Sequence, residues 1–155
     1  MMSVELRPVT AKNWQALIKL QVREDQREFV ASNLYSIAET QFGHEEEGHW
    51  NFYSFGVYAN DEPVGFIMYG INYEHSRFHG FIARLMVDEN HQGKGYGRAA
   101  MEQILETFRA DERVRQIGIS YEPHNKVAQA LYASLGFVEP GELIEGETLA
   151  VMKLR

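Results

Sequence analysis

A chain of 155 residues with 22 acidic and 15 basic side chains, a net charge of -7, has one domain's worth of sequence and an unfavourable charge for gripping nucleic acid. It contains no cysteine, which excludes disulfides, thiolate catalysis and sulfur-rich zinc sites. The opening Met1-Met2-Ser3-Val4-Glu5-Leu6-Arg7 has no apolar signal core, and no apolar run nears membrane-spanning length, so a single cytoplasmic domain over 1–155 with no membrane partner is expected.

The elements follow in chain order. Val4–Val9 alternates and predicts a first strand, and Thr10 is placed to cap a helix from Ala11 to about Leu20. Apolar residues at Phe29-Val30, Tyr35, Ile37 and Ala38 predict a second, shorter helical region. His44-Glu45-Glu46-Glu47-Gly48-His49 resembles the zinc motif H-E-x-x-H, but its second His falls at i+5 and Gly48 weakens a helix there. It reads as an acidic loop, and no metal is expected. Tyr53–Tyr58 and Val64–Tyr73 read as strands across the turn Asn60-Asp61-Glu62-Pro63. Strand 81–87, helix 97–109, strand 115–121, helix 125–135 and a terminal hairpin over 142–154 follow. His75, His79, His91 and His124 are isolated and read as surface or interface residues. Early antiparallel strands, then strand–helix–strand–helix, imply an α/β fold with a mixed sheet.

The stretch between strand 81–87 and helix 97–109 carries the chemistry. Gln92-Gly93-Lys94-Gly95-Tyr96-Gly97-Arg98 is a Gly-rich turn that presents successive backbone N–H groups at a helix N-terminus, an arrangement suited to phosphate oxygens. It is not the triphosphate loop, since Lys94 is followed by Gly95 and not by Ser or Thr. Nor is it the dinucleotide fingerprint, since the glycines run G-x-G-x-G. Downstream, Asn125, Ala128 and Tyr132 lie at i, i+3 and i+7 and share one helix face. Gly136 then sits where a helix end favours a left-handed residue.

The first segment resembles the Q/R-x-x-G-x-G/A signature of the GNAT N-acetyltransferase superfamily, and Asn125 to Phe137 resembles its N-x-x-A-x-x-x-Y-x-x-x-G-F segment. The resemblance implies the GNAT fold, in which the fourth and fifth strands splay and the thioester arm of acetyl-CoA lies in the gap. It implies that Gln92 to Gly97 wrap the pyrophosphate, with charge from Lys94 and Arg98 and with Asn125 and Lys126 beside them. It further implies that the backbone of Leu85, Met86 and Val87 pairs with the pantetheine amides, and that Tyr132 is the general acid. No general base is evident, and Glu122 and Glu24 read more readily as surface carboxylates.

The pieces 22–33, 65–70, 83–88 and 141–143 are similar to bacterial spermine/spermidine acetyltransferases. That resemblance implies a polyamine acceptor, with Glu24, Asp25 and Glu28 as candidate partners for its ammonium groups. One departure is Ala83-Arg84, where vertebrate polyamine acetyltransferases carry acidic residues. Another amine acceptor (an aminoglycoside, an amino acid or a protein N-terminus) and a non-catalytic acyl-CoA sensor are the alternatives. A homodimer is expected through Leu149-Ala150-Val151-Met152, an apolar strand placed at a sheet edge.

Overall fold

The computed structural model describes residues 3–29 and 31–155, so the Val30 part of the second predicted helix lies outside the described residues. The strands are β1 (Glu5–Pro8), β2 (His44–Glu45), β3 (His49–Ala59), β4 (Glu62–Ile71), β5 (Gly80–Val87), β6 (Gln116–Tyr121), β7 (Leu143–Ile144) and β8 (Glu147–Lys153). The helices are α1 (Trp14–Ile18), a 3-10 helix (Glu24–Phe29), α2 (Asn33–Phe42), α3 (Tyr96–Ala110) and α4 (Lys126–Leu135). The sheet order is β1-β3-β4-β5-β6-β8-β7, with β2 paired to β3 off this path. β5 and β6 run parallel and the other neighbours antiparallel.

β4 is buried from Val64 to Gly70, because helices cover both of its faces. The strand period sends Ile67 and Tyr69 toward α3, whose Ala100, Met101, Ile104, Leu105 and Phe108 form a continuous buried stripe. Phe66 and Met68 point the other way, into a smaller cluster with Val22, Met86 and Ile37. The β3–β4 turn places Asn60 (φ 51°) and Asp61 (φ 65°) between the paired Ala59 and Glu62. Two positive φ values match the twist of a tight hairpin, and Asn and Asp tolerate them.

β5 is the element that shapes the site. Its pairing with β4 skips one residue, Met68 opposing Arg84 and Tyr69 opposing Ile82, so Ala83 forms a bulge. Bulges bend a strand and sharpen its twist. Pairing with β6 covers Gly80–Ile82 against Ile117–Ile119 and stops there. The strands called fourth and fifth above are these two, and they part at the bulge. Where they still meet, Gly80 makes the approach possible, since a Cβ there would stand 2.5 Å from the Phe108 ring.

Several expectations change. The first helix is only Trp14–Ile18, because Thr10 and Asn13 form a local turn instead of a cap: the Thr10 N–H donates to Asn13 Oδ1 at 2.7 Å, and the Lys12 N–H to Thr10 Oγ1 at 3.2 Å. The acidic loop at 44–49 is a hairpin, with β2 folding back on the start of β3. The terminal strand is not an edge. β8 lies between β6 and β7, Val138 bridges to Val151, and Leu149, Ala150 and Met152 are buried in the chain's own core. The reason for expecting a dimer through these residues therefore falls away. Among the described residues, no helix is long and apolar enough to cross a membrane.

Candidate active site

α3 begins at Tyr96, with Gly95 as its N-cap in the left-handed region (φ 84°) and Gly93 at φ 79° just before it. A side chain is strained at both. Among the described residues, the backbone N–H groups from Gly93 to Arg98 have no acceptor. That is an uninterrupted run of free donors at the positive end of a 15-residue helix. The donor set fits a pyrophosphate. The approach to the run is held rigidly. Gln92 donates through Nε2 to the Val87 carbonyl at 2.9 Å and to Gln26 Oε1 at 2.9 Å, so its side chain pins the loop to β5 and the 3-10 helix. Asp88 is buried and accepts from the Gln21 N–H at 3.0 Å, the Asn90 N–H at 3.3 Å and the His91 ring at 3.2 Å. Burial alone would raise its carboxyl; these donors outweigh that and hold it below the ordinary carboxylate value.

The charged residues of the loop divide. Lys94 and Lys126 are exposed at the N-terminal ends of α3 and α4. Arg98 turns across to the Ser134 hydroxyl of α4 and lies 4.0 Å from Glu102. Leu85, Met86 and Val87 pair with β4 on one side only, opposite Ile67, Phe66 and Gly65. β6 has left by then, so the other edge of this segment has no strand beside it among the described residues. A short linear amide chain would fit there as an added strand.

Two adjoining clefts of about 400 and 440 Å³ open from this gap. The first is lined by Glu28, Leu85, Glu122, Asn125, Ala128 and Tyr132 among others. The second reaches Glu39, Glu46, Glu47, His75 and an aromatic wall of Trp50, Phe78 and Phe81. Ala83, Arg84, Ser120, Glu145 and Glu147 line both. Asn125, Ala128 and Tyr132 do share one helix face. Asn125 caps α4 by accepting the Ala128 N–H at 3.2 Å, and Gly136 ends it in the left-handed region. Tyr132 is 7% exposed, its ring lying 5.5 Å from Tyr121 and 6.2 Å from Phe137. Burial, and then the charge of Glu147, raise its phenol well above the ordinary tyrosine value. Its hydroxyl makes no hydrogen bond among the described residues.

The residues expected to meet an acceptor are only partly brought together. Glu28 lines the first cleft. Glu24 and Asp25 occupy the exposed first turn of the same 3-10 helix and line neither cleft, and Asp25 lies 3.6 Å from Arg23. Arg84 does face the clefts, but it is paired with Glu39 at 3.0 Å and donates to the Ala83 carbonyl at 2.7 Å. Its Nε is buried with no partner. Glu122 lines the first cleft, whereas Glu24 does not.

A protein-family model for the acetyltransferase (GNAT) family matches residues 14–137. The chain belongs to this family. It is an acetyl-CoA-dependent N-acetyltransferase. Among curated relatives, the spermine/spermidine N(1)-acetyltransferase of Bacillus subtilis is 28% identical over 158 residues, covering 99% of this chain and 100% of that protein. Solved structures share the fold. A spermidine N-acetyltransferase from Vibrio cholerae in complex with CoA and spermine superposes with a TM-score of 0.73 at 19% identity, over 98% of this chain and 96% of that one. An aminoglycoside acetyltransferase in complex with coenzyme A gives 0.74 at 19% identity, over 97% and 95%.

Within this GNAT enzyme, the cleft residues that sequence reasoning missed are Glu39, Ser120, Glu145, Glu147 and the Glu46–Glu47–His75 group. His75 was expected at the surface or at an interface. It is buried, accepts the N–H groups of Arg77 and Phe78 on Nδ1, and turns Nε2 to Glu46 and Glu47 at 3.2 Å each. The His91 side chain is likewise mostly covered, between Asp88 and Glu62. The acidic loop at 44–49 and the spacing Glu145-Gly146-Glu147 in the terminal hairpin were the available signals for the missed acids.

Proposed function

We propose that this enzyme acetylates a polyamine, spermine or spermidine, bound along the two adjoining clefts. The observation that carries the reading is the charge of the lining. Glu28, Glu122, Glu145 and Glu147 face the first cleft and form no ion pair among the described residues, while its cation, Arg84, is matched by Glu39. Four unpaired carboxylates around one cleft give it a negative potential that draws cations in. A flexible chain of ammonium groups suits that lining, and the second cleft extends the acidic wall by Glu46 and Glu47. The Bacillus relative supports the same acceptor class.

In this reading the free N–H groups of Gly93 to Arg98 hold the pyrophosphate, and Asn125 and Lys126 flank it at the start of α4. The open edge of Leu85–Val87 aligns the pantetheine, which brings the thioester to the bulge at Ala83. An N–H near the bulge would polarise its carbonyl. Tyr132 gives its proton to the departing thiolate. Acetyl-CoA supplies the activated acyl group; the chain positions it, neutralises the amine and excludes water. The chain works as one catalytic domain in the cytoplasm.

The test is product analysis. Wild-type enzyme with acetyl-CoA and a panel of spermine, spermidine, aminoglycosides, amino acids and peptides is read by mass spectrometry. Acetylated polyamine formed with the highest kcat/KM supports the reading. Polyamines left untouched while another amine is acetylated would overturn the acceptor and leave the family unaffected.

A further inference from the structure

We propose that Glu147 is the catalytic base that takes the proton from the acceptor ammonium. This rests on the clefts being the acceptor site, but not on the acceptor being a polyamine. An alkylamine is almost wholly protonated at neutral pH, so a proton must leave before nitrogen can attack.

Four observations single out this carboxylate. First, its place is rigid. Ile144 pairs with Glu147 across Glu145 (φ 49°) and Gly146 (φ 82°), a two-residue turn with positive φ at both positions. Second, one of its oxygens is already oriented, since Ser120 donates to Oε1 at 2.7 Å. Ser120 is the residue directly after Ile119, where β6 leaves β5, so the carboxylate hangs at the mouth of the gap. Third, it lines both clefts, so an amine crossing between them passes it. Fourth, it shares the lining of the first cleft with Tyr132, so the base and the acid face one cavity.

The other carboxylates serve less well. Glu39 is engaged by Arg84. Glu46 and Glu47 lie against His75, away from Tyr132. Glu28 and Glu122 line the first cleft alone. Glu145 lines both but has no donor holding it among the described residues. The charged and titratable groups that share a cleft with Glu147 are Arg84 from β5, Tyr121 and Glu122 from the end of β6, Tyr132 from α4, Glu145 from its own turn and Glu28 from the 3-10 helix, with Glu39 from α2, His44, Glu46 and Glu47 from the β2–β3 hairpin and His75 from the β4–β5 connection on the second side.

The step balances as follows. The ammonium gives one proton to Glu147, and the freed lone pair forms the C–N bond at the thioester carbon. The C–S bond then breaks with its electron pair on sulfur, which takes the Tyr132 proton. The second proton on the new amide nitrogen returns to the Tyr132 oxygen, and Glu147 passes its own proton to water. One acetyl group moves and one proton is released.

The experiment compares wild type, Glu147→Gln and Ser120→Ala between pH 7 and 9, on whichever amine of the panel the wild type acetylates fastest. Coenzyme A binding by calorimetry confirms that each variant is folded. Glu147→Gln should lower kcat about 100-fold at pH 7 with the KM for acetyl-CoA unchanged. The loss should shrink about tenfold per pH unit, because only amine already neutral in solution reacts in the variant. Ser120→Ala should show a smaller loss with the same pH trend. A loss that stays constant with pH, or one confined to the KM of the amine, would make Glu147 a positioning or anchoring group and overturn the proposal. If polyamines are not substrates, the pH comparison on the true acceptor still decides the role of Glu147.

Discussion

Tyr132→Phe separates the chemistry of the hydroxyl from the packing of the ring. The ring is enclosed by Tyr121 and Phe137, at 5.5 and 6.2 Å between centroids, and phenylalanine fills the same space. The hydroxyl donates to no group among the described residues, so no internal hydrogen bond is lost. Tyr132 lines the first cleft, where its hydroxyl meets the open cavity, so removing it should change stability by less than about 1 kcal/mol. Turnover should move the opposite way. Burial and Glu147 hold the phenol protonated well past its ordinary value of 10.0, so the acid form is present throughout the working range. Without it the thiolate must find its proton in water, and a 10- to 100-fold fall in kcat, about 1.4–2.7 kcal/mol, is expected. Single-turnover mixing isolates the chemical step, calorimetry follows coenzyme A, and urea unfolding follows stability. A single-turnover rate equal to wild type would refute the acid role, and a large loss of stability would refute the account of the unpaired hydroxyl.

Gly95→Glu puts a side chain at φ 84° and a negative charge among the free N–H groups, so coenzyme A affinity should fall at least about tenfold by calorimetry. The KM for spermine should climb between about 0.05 and 0.3 M salt, because exposed charges are screened beyond about 8 Å. Glu28→Gln should raise that KM with little change in kcat, since a ground-state contact persists in the transition state. Glu39→Ala leaves Arg84 unpaired beside the clefts with its Nε already lacking an acceptor; stability should fall by about 1–3 kcal/mol and the KM for a polycation should rise. Tyr69, Tyr73, Tyr121 and Tyr132 are all shifted upward, Tyr69, Tyr121 and Tyr132 chiefly by burial and Tyr73 chiefly by its bond to Asp111. The unfolded chain loses these protons near pH 10 while the folded chain keeps them, so stability should decline above that pH in urea titrations, and Tyr132→Phe should shallow the decline.

What could be read from the sequence was local. The glycines at 93, 95 and 97 sit within one turn, and Asn125, Ala128 and Tyr132 sit within one helix, so spacing alone placed them together. The acceptor wall was not legible, because Glu39, Glu147 and Arg84 come from α2, β8 and β5 and meet only once the sheet has formed. Arg84 looked adverse to a polycation because its partner Glu39 lies 45 residues away. β8 looked like an edge because only its hairpin partner was visible in sequence, while β6 on its other side is not adjacent in the chain. Its pairing with β6 and the bridge from Val138 are tertiary facts. His75 was misread for the same reason: Glu46, Glu47 and Trp50 reach its ring from the β2–β3 hairpin, which lies beside the β4–β5 connection only in the folded chain.

The half-zipped pair β5–β6 leaves the sheet unfinished inside the molecule. A cosubstrate lying along Leu85–Val87 would complete it, and would then act as a structural member as well as a reactant. At 100 times its dissociation constant it would add about 2.7 kcal/mol to the folded state. Amides along the far end of β5 should therefore exchange with deuterium more slowly in the loaded enzyme, while those at Gly80–Ile82, already bonded to β6, should change little. Acetyl-CoA supply in the cell would then set the lifetime of the folded protein as well as its rate of turnover.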